Sequence, residues 1–332
     1  MPRISELAER LGGKAFGADV EVSALCVPEA QAQGAICILG NPELFHFATG
    51  ASSAYVVPED YPELNMQALS LIKVAKPREA MTKLLIALYP EPPFEATISP
   101  NADVAASAQL GKGVRVESFV AIGKGTVIGD GACIKAGAVI GANVQIGAGS
   151  TIFPRVVIYD NSIIGKNVRI HAGTVIGCDG FGYILAAEHT KIPHIGNVII
   201  GDNVEIGANA VIDRGTIGST IIGKGTKIDN LYQVGHNNQI GEHCVMAAQG
   251  GMAGSSRFGN YMVTGGQVGF ADHLVVGNGV RVAAKTGVMH NMPDGATFGG
   301  IPGMPHGEWL RQVASIKQLP ELRRRVKALE DK

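Results

Sequence analysis

The chain contains no run of 18 apolar residues, which excludes a membrane-spanning helix. It has no surplus of either charge. A net charge of −1 gives no global pull towards nucleic acid or an anionic membrane surface. The five cysteines, Cys26, Cys37, Cys133, Cys178 and Cys244, are odd in number, scattered, and include no CxxC pair. That spacing supplies neither a disulfide framework nor a zinc knuckle, and it points to a reduced, cytoplasmic environment. The opening residues MPRISELAERLGG lack the apolar core of a secretion signal, in keeping with that location.

What the chain does have is a period. From Ile98 to Ile176 an aliphatic residue stands at every sixth position, fourteen times in succession, as at Val104, Leu110, Val116, Ile122 and Ile128. A period of six fits neither an amphipathic helix nor an alternating strand. It is the mark of a parallel β-helix, in which each short strand turns a corner and each coil stacks on the one before. Ile200, Ile206 and Ile212 keep the period, residues 214–220 slip it, and Ile222, Ile228, Val234 and Ile240 restore it. From Met246 to Val288 it continues more loosely. Glycine follows many of these aliphatics, as at Gly123, Gly141 and Gly235. A corner needs positive φ or a close backbone approach, and glycine gives both without steric cost. Three hexads make one coil, so roughly ten coils rising about 4.8 Å each would stand on the order of 45 Å tall.

Three regions are expected. Residues 1–96 ignore the hexad and read as a small α/β domain. Its helices fall at Ser5–Leu11 and Pro77–Leu88, the second with Met81, Leu84, Leu85 and Leu88 on its apolar face. Its buried strands fall at Ala35–Leu39, Ala54–Val57 and Leu69–Val74. Tyr89-Pro90-Glu91-Pro92-Pro93 reads as a stiff linker. Residues 97–305 form the β-helix, interrupted at 178–195 by an insertion too long for a corner and expected as an external loop. Residues 306–332 place Trp309, Val313, Ile316, Leu319, Leu322, Val326 and Leu329 at three-four spacing and read as helix, bent or split at Pro320. The cluster Arg323, Arg324, Arg325 and Lys327 there is either a solvated face or a docking surface for an acidic partner.

A β-helix does not specify a function, so the case rests on side chains. Asp229–Asn237 puts His236 directly after a corner glycine, on the outer wall near an edge, and histidine is the side chain suited to general-base work near neutral pH. Gly254 follows 18 residues later, one coil above, where its main-chain N–H can face the same cleft. A base beside a main-chain donor is the minimum equipment for acyl transfer. His273, a further coil and one residue on, shares that wall. His189 and His194 could hold zinc only with a third histidine from another subunit, and they lie on the insertion rather than on regular coils.

Three segments carry a closer likeness. Asp179-Gly-Phe-Gly-Tyr183, Ile200–Gly207 with Ile212-Asp-Arg-Gly215, and Asp229–Asn237 resemble the UDP-3-O-(3-hydroxyacyl)glucosamine N-acyltransferases of lipid A biosynthesis, and the resemblance extends over nearly the whole chain. It implies a mainly β fold, a left-handed parallel β-helix of hexapeptide repeats with a small N-terminal α/β uridine-binding domain and C-terminal α-helices. It implies His236 as general base, Gly254 as oxyanion donor, and His273 near the nucleotide-sugar phosphates. Asn230 and Gln233, in the third segment, belong with the substrate. Leu39-Gly40-Asn41-Pro42 matches the uracil-binding segment, with Asn41 its polar contact. The flanking aromatic positions hold Ile38 and Leu44 here, which leaves Phe45 or Phe47 to stack on uracil. The resemblance further implies a homotrimer, an acyl carrier protein as donor (with the arginine cluster and Lys327 its docking surface), a UDP-sugar acceptor, and no metal or bound cofactor.

Two other classes share the hexad. One is another prism enzyme, either an O-acyltransferase on a nucleotide sugar or a zinc lyase. The other is a non-catalytic solenoid such as an ice-binding protein, which would present regular outward threonine ladders that this chain lacks.

Overall fold

One inward aliphatic per hexad, taken three times, closes a triangle. In the computed structural model, which describes residues 1–62, 69–90, 95–300 and 306–331, that geometry builds three parallel sheets of nine, ten and ten short strands. Each strand pairs in parallel with the one a coil away, so that Ile128 lies against Ile146, Ile134 against Ile152 and Ile140 against Ile158. The inward residues form a continuous apolar core in which Ile134, Ile152, Ile170 and Ile206 have lost all contact with solvent. Ile98 is the exception at 56% exposed, because no earlier coil lies beneath it.

The corners divide their two requirements between two positions. A Cβ on Gly123 would stand 2.6 Å from the main chain of Gly141, so where a glycine follows an inward aliphatic it allows coil to approach coil. Positive φ falls two residues later, at Gly125 but also at Asn143, Asn161, Asn237, Ser255 and His273. Asparagine tolerates the left-handed region better than other side chains, which explains its frequency there.

The chain divides into two compact units, Met1–Phe94 and Glu95–Lys332. In the first, α1 (Ile4–Leu11), β1 (Lys14–Phe16), β2 (Ala24–Cys26), β3 (Ala35–Ile38), β4 (Ala54–Pro58), β5 (Leu71–Val74) and α2 (Pro77–Leu88) surround a sheet of order β1-β5-β4-β3-β2. Only β1 runs antiparallel to its neighbour. The short strands β1 and β2 were not foreseen, since three residues carry too little pattern. Ile4, Leu7, Ile36, Val56, Ile72 and Leu84 pack on one face. On α2 the buried residues are Ala80 and Leu84, whereas Met81 and Leu85 are exposed, a correction to the expected face. Small Ala80 lets the helix turn towards it, with Leu84 buried as expected and Leu88 partly buried against the core. Residues 91–93 of the linker lie outside the described residues.

In the second unit, α3 (His306–Glu330) is one helix that continues through Pro320 and does not split there. Proline removes one main-chain donor, and the remaining turns still close. Its apolar residues, including Leu319, Leu322, Val326 and Leu329, are exposed on the single chain, and the Trp309 side chain lies outside the described residues. No described helix is long and apolar enough to cross a membrane.

Candidate active site

The two places where the hexad fails meet at one corner of the prism, and one of them, the insertion, lines a cavity there. The insertion leaves the strand Val175–Cys178, forms a small hairpin of Tyr183–Ile184 against Thr190–Lys191, and rejoins the sheet at Asn197–Ile200. The slip at 214–220 lies beside its return, with Ile195 N–H donating to Thr216 O at 2.9 Å and Gly196 N–H to Gly215 O at 3.0 Å. Both excursions close on the corner that carries His236, around a cavity of about 600 Å³ lined by Asp179, Phe181, Asp213, Gln233, His236 and Gly254 among others. The insertion is therefore not the purely external loop expected from its length.

His236 sits on the turn after the strand Gln233–Val234, half-buried. Buried Asn238 pins that corner. Its Nδ2 donates to Gly235 O and to Ala253 O, both at 2.9 Å, and its Oδ1 accepts Ser256 N–H at 2.9 Å. Asn237 orients the imidazole. Asn237 Nδ2 donates to Ile217 O at 2.8 Å and Asn237 Oδ1 accepts Thr216 N–H at 2.9 Å, which together fix the amide. The same Oδ1 lies 3.0 Å from His236 Nδ1, so Nδ1 must carry the proton and donate. Nε2 is left with a free lone pair. A Cβ on Gly254 would stand 2.6 Å from that Nε2, so the lone pair and the Gly254 main chain face each other with no room for a side chain between them.

The Gly254 N–H is open. Lower on the same corner, Asp160 Oδ1 accepts Ala142 N–H at 2.7 Å. Asp272 holds the corresponding place above Gly254 but makes no such bond, and the Gly254 N–H donates to none of the described residues. A base with a free lone pair and an unpaired main-chain donor are the two groups an acyl transfer needs.

Residues to which sequence reasoning gave no role beside His236 surround this pair. Thr216 Oγ1 lies 3.4 Å from His236 Nδ1. His194 stands edge-on to His236, ring centroids 5.3 Å apart, and donates from Nδ1 to Ile192 O at 2.9 Å, which leaves its buried Nε2 without a partner. Lys191 holds the Asp179 carboxyl below the usual carboxylate range and latches the hairpin to the strand end. Asp213 is buried, and desolvation raises its carboxyl above the usual range, opposed by hydrogen bonds from Gln233 and Cys178. Cys178 Sγ donates to Asp213 Oδ1 at 3.4 Å; burial first, then Asp213, pushes that thiol up to about 12. The signal for these residues was the broken period, since they lie on the insertion, the slip or the strand ends that lead into them.

The expected substrate residues are dispersed. Gln233 lines the cavity. Asn230 does not. Six residues before His236, it occupies the preceding corner of the prism, in a separate cavity of about 530 Å³ with His171, Glu205 and Lys227, and its Oδ1 accepts Ala208 N–H at 2.7 Å. His273 shares the His236 corner but stacks over Ser255 and Asn237, its N–H donating to Gly254 O at 3.1 Å. In the first unit, exposed Asn41 precedes the 3₁₀ turn Pro42–Phe47 with a side chain that caps nothing. Phe45 is half-buried and edge-on to Tyr61, with ring centroids 4.6 Å apart. Arg323, Arg324, Arg325 and Lys327 are exposed on α3, where Arg324 pairs with Glu321 at 2.8 Å. His189 is exposed and bonded to Ala186 O, away from the inward-facing His194. Among the described residues no three histidine, cysteine or carboxylate side chains group to hold a metal.

The UDP-3-O-acylglucosamine N-acyltransferase of Campylobacter lari is 37% identical over 317 residues, covering 95% of this chain and 97% of its own. The chain belongs to that family. The Rhodopseudomonas palustris enzyme named UDP-3-O-acylglucosamine N-acyltransferase 2 is 40% identical, over 82% of this chain and 74% of its own. A Methylobacterium relative is 43% identical over 144 residues, which span 41% of that relative's length. A family model described as the GMPPB C-terminal domain matches residues 98–180, wholly within the prism. Among solved structures, the Francisella novicida UDP-N-acetylglucosamine acyltransferase superposes with a TM-score of 0.51 at 27% identity, covering 65% of this chain and 73% of its own.

Proposed function

We propose that this member of the family transfers a 3-hydroxyacyl group from acyl carrier protein to the 2-amino group of UDP-3-O-(3-hydroxyacyl)glucosamine, a step of lipid A biosynthesis in the cytoplasm. The observation that carries the reading is the pairing of His236 Nε2, freed as a base by the Asn237 hydrogen bond, with the open N–H of Gly254 in one cavity. The amine nitrogen attacks the thioester carbonyl carbon, and His236 Nε2 takes its proton. Gly254 N–H receives the oxyanion. The C–S bond then breaks, and the departing thiolate takes the proton back from the imidazolium, giving amide and free thiol. The donor's phosphopantetheine brings the acyl group already activated, so the chemistry calls on no metal or resident cofactor.

Asn41 would hold the uracil, with Phe45 or Phe47 against its ring, and Gln233 and His273 would serve the sugar and phosphates. The assembly proposed is a homotrimer with sites in the grooves between prisms, and exposed Arg323, Arg324, Arg325 and Lys327 would meet the acidic carrier. Mass spectrometry of the product tests the reaction class. A mass gain of one hydroxyacyl group in an amide resistant to mild alkali is expected; an alkali-labile ester would move the chain to O-acyl transfer.

A further inference from the structure

A carboxylate buried without a cation is costly and is usually protonated, paired or put to use. Asp213 is 7% exposed, lines the same cavity as His236, and forms no ion pair with any described residue. Its partners are two neutral donors, the Gln233 amide and the Cys178 thiol, which satisfy its oxygens without cancelling its charge. It projects from the strand Val211–Asp213, one coil below the strand Gln233–Val234 that leads into His236. The register shift between Ile176 and Cys178 sets Asp213 opposite Cys178, off the regular pattern.

We propose that Asp213 is a positioning residue, whose buried negative charge stabilises the imidazolium formed on His236 when the acceptor amine gives up its proton. The proposal rests on the acyl-transfer reading. To act as a base, His236 starts as the neutral imidazole beside the Asp213 carboxyl. Once the proton has moved to Nε2, an imidazolium stands in the same cavity as the buried Asp213 carboxylate, and their attraction favours the state following proton transfer. Asn237 fixes which nitrogen is the base, and Asp213 favours the proton's arrival.

The other charged and titratable groups around the pair are few. Cys178 and Asp179 stand at the start of the insertion, Tyr183 and Lys191 on its hairpin, His194 at its end, and Arg214 next to Asp213. Lys191 is taken up by Asp179, and Arg214 donates to Gly177 O at 2.6 Å with its guanidinium over Tyr159. His194 donates from Nδ1 to Ile192 O, and Lys191 and Arg214 are both engaged elsewhere, so neither cation substitutes for an imidazolium at His236.

The test is a titration of His236 by NMR in the full chain, wild type against Asp213→Asn, with His236→Gln to assign the signal. Removal of the carboxylate is expected to move the His236 midpoint to lower pH by roughly half a unit to one unit, the scale of a nearby partly buried charge. The acid limb of kcat/KM is expected to move the same way, with kcat falling about tenfold and acceptor KM changing little. An unchanged midpoint would overturn the proposal. If Asp213→Asn does not fold, the wild-type titration decides: a second, smaller inflection of the His236 signals as Asp213 protonates supports coupling, and its absence refutes it. Loss of the acyl-transfer reading looks different, because the wild type would then form no amide whatever the titration shows.

Discussion

Asn237 decides which nitrogen of His236 can act as a base, so its removal tests tautomer control separately from the base itself. Partners that orient a functional histidine typically contribute 10–100-fold. Asn237→Ala is expected to lower kcat on that order, and Asn237→Asp, which keeps the acceptor, to lose less; equal losses would show that the acceptor oxygen is not what matters. Gly254→Ala probes the opposite side. An added Cβ would stand 2.6 Å from His236 Nε2, so the ring must move, and a kcat loss on the order of 10²–10³ is expected. Circular dichroism should show the fold retained, because Gly254 has no positive φ. Asp213 makes a thermodynamic prediction. Its carboxyl holds a proton more tightly in the folded chain than in the unfolded one. Its cost to stability is therefore absent below the unfolded carboxylate value of about 3.9 and grows as pH rises through the folded value. Asp213→Asn is expected to raise the thermal midpoint at neutral pH and to leave it unmoved near pH 3; a gap of equal size at both would contradict this.

At the scale of elements, the insertion and the slip matter more than the regular coils. Gly180 is the wedge: a Cβ there would meet His194 Nε2 at 2.8 Å and His236 Cβ at 2.9 Å. Gly180→Ala is expected to push the insertion off the corner, with lower kcat and faster limited proteolysis between residues 183 and 191; unchanged cleavage would mean that the hairpin holds by its Lys191–Asp179 latch alone. The regular coils were legible because Ile122 to Ile176 repeat one steric solution, with inward aliphatics at a fixed spacing. The corner holding His236 and Gly254 was legible for the same reason, since 18 residues is one coil. Asp213, Thr216 and His194 were not, because each acts from the insertion, the slip or the strand end beside it, whose return path no period specifies; Asn237 stands on a regular coil, but the slip residues Thr216 and Ile217 fix its amide. Asn230 falls on a different corner from His236 for a plain geometric reason: six residues is one side of a triangle.

At the scale of the whole molecule, the two units make separable predictions. The uracil of a UDP-sugar is remote from its reacting amine, so if Asn41 holds it as proposed, Asn41→Ala is expected to raise the KM for UDP-sugar more than it lowers kcat. Long-range attraction between charged surfaces chiefly speeds encounter and is screened over about 8–10 Å at physiological salt. Reversing Arg323 and Arg325 to glutamate is accordingly expected to raise the KM for acyl carrier protein, flatten its salt dependence, and leave the UDP-sugar KM alone. No change in carrier kinetics would leave that basic run a solvated helix face. The most direct test of the central claim remains His236→Ala, assayed for amide formation from acyl carrier protein thioester and UDP-sugar, with folding checked by circular dichroism. The account predicts a turnover loss of about 10²–10⁴-fold in a folded protein, the usual scale for a general base; near-normal turnover by that variant would contradict it.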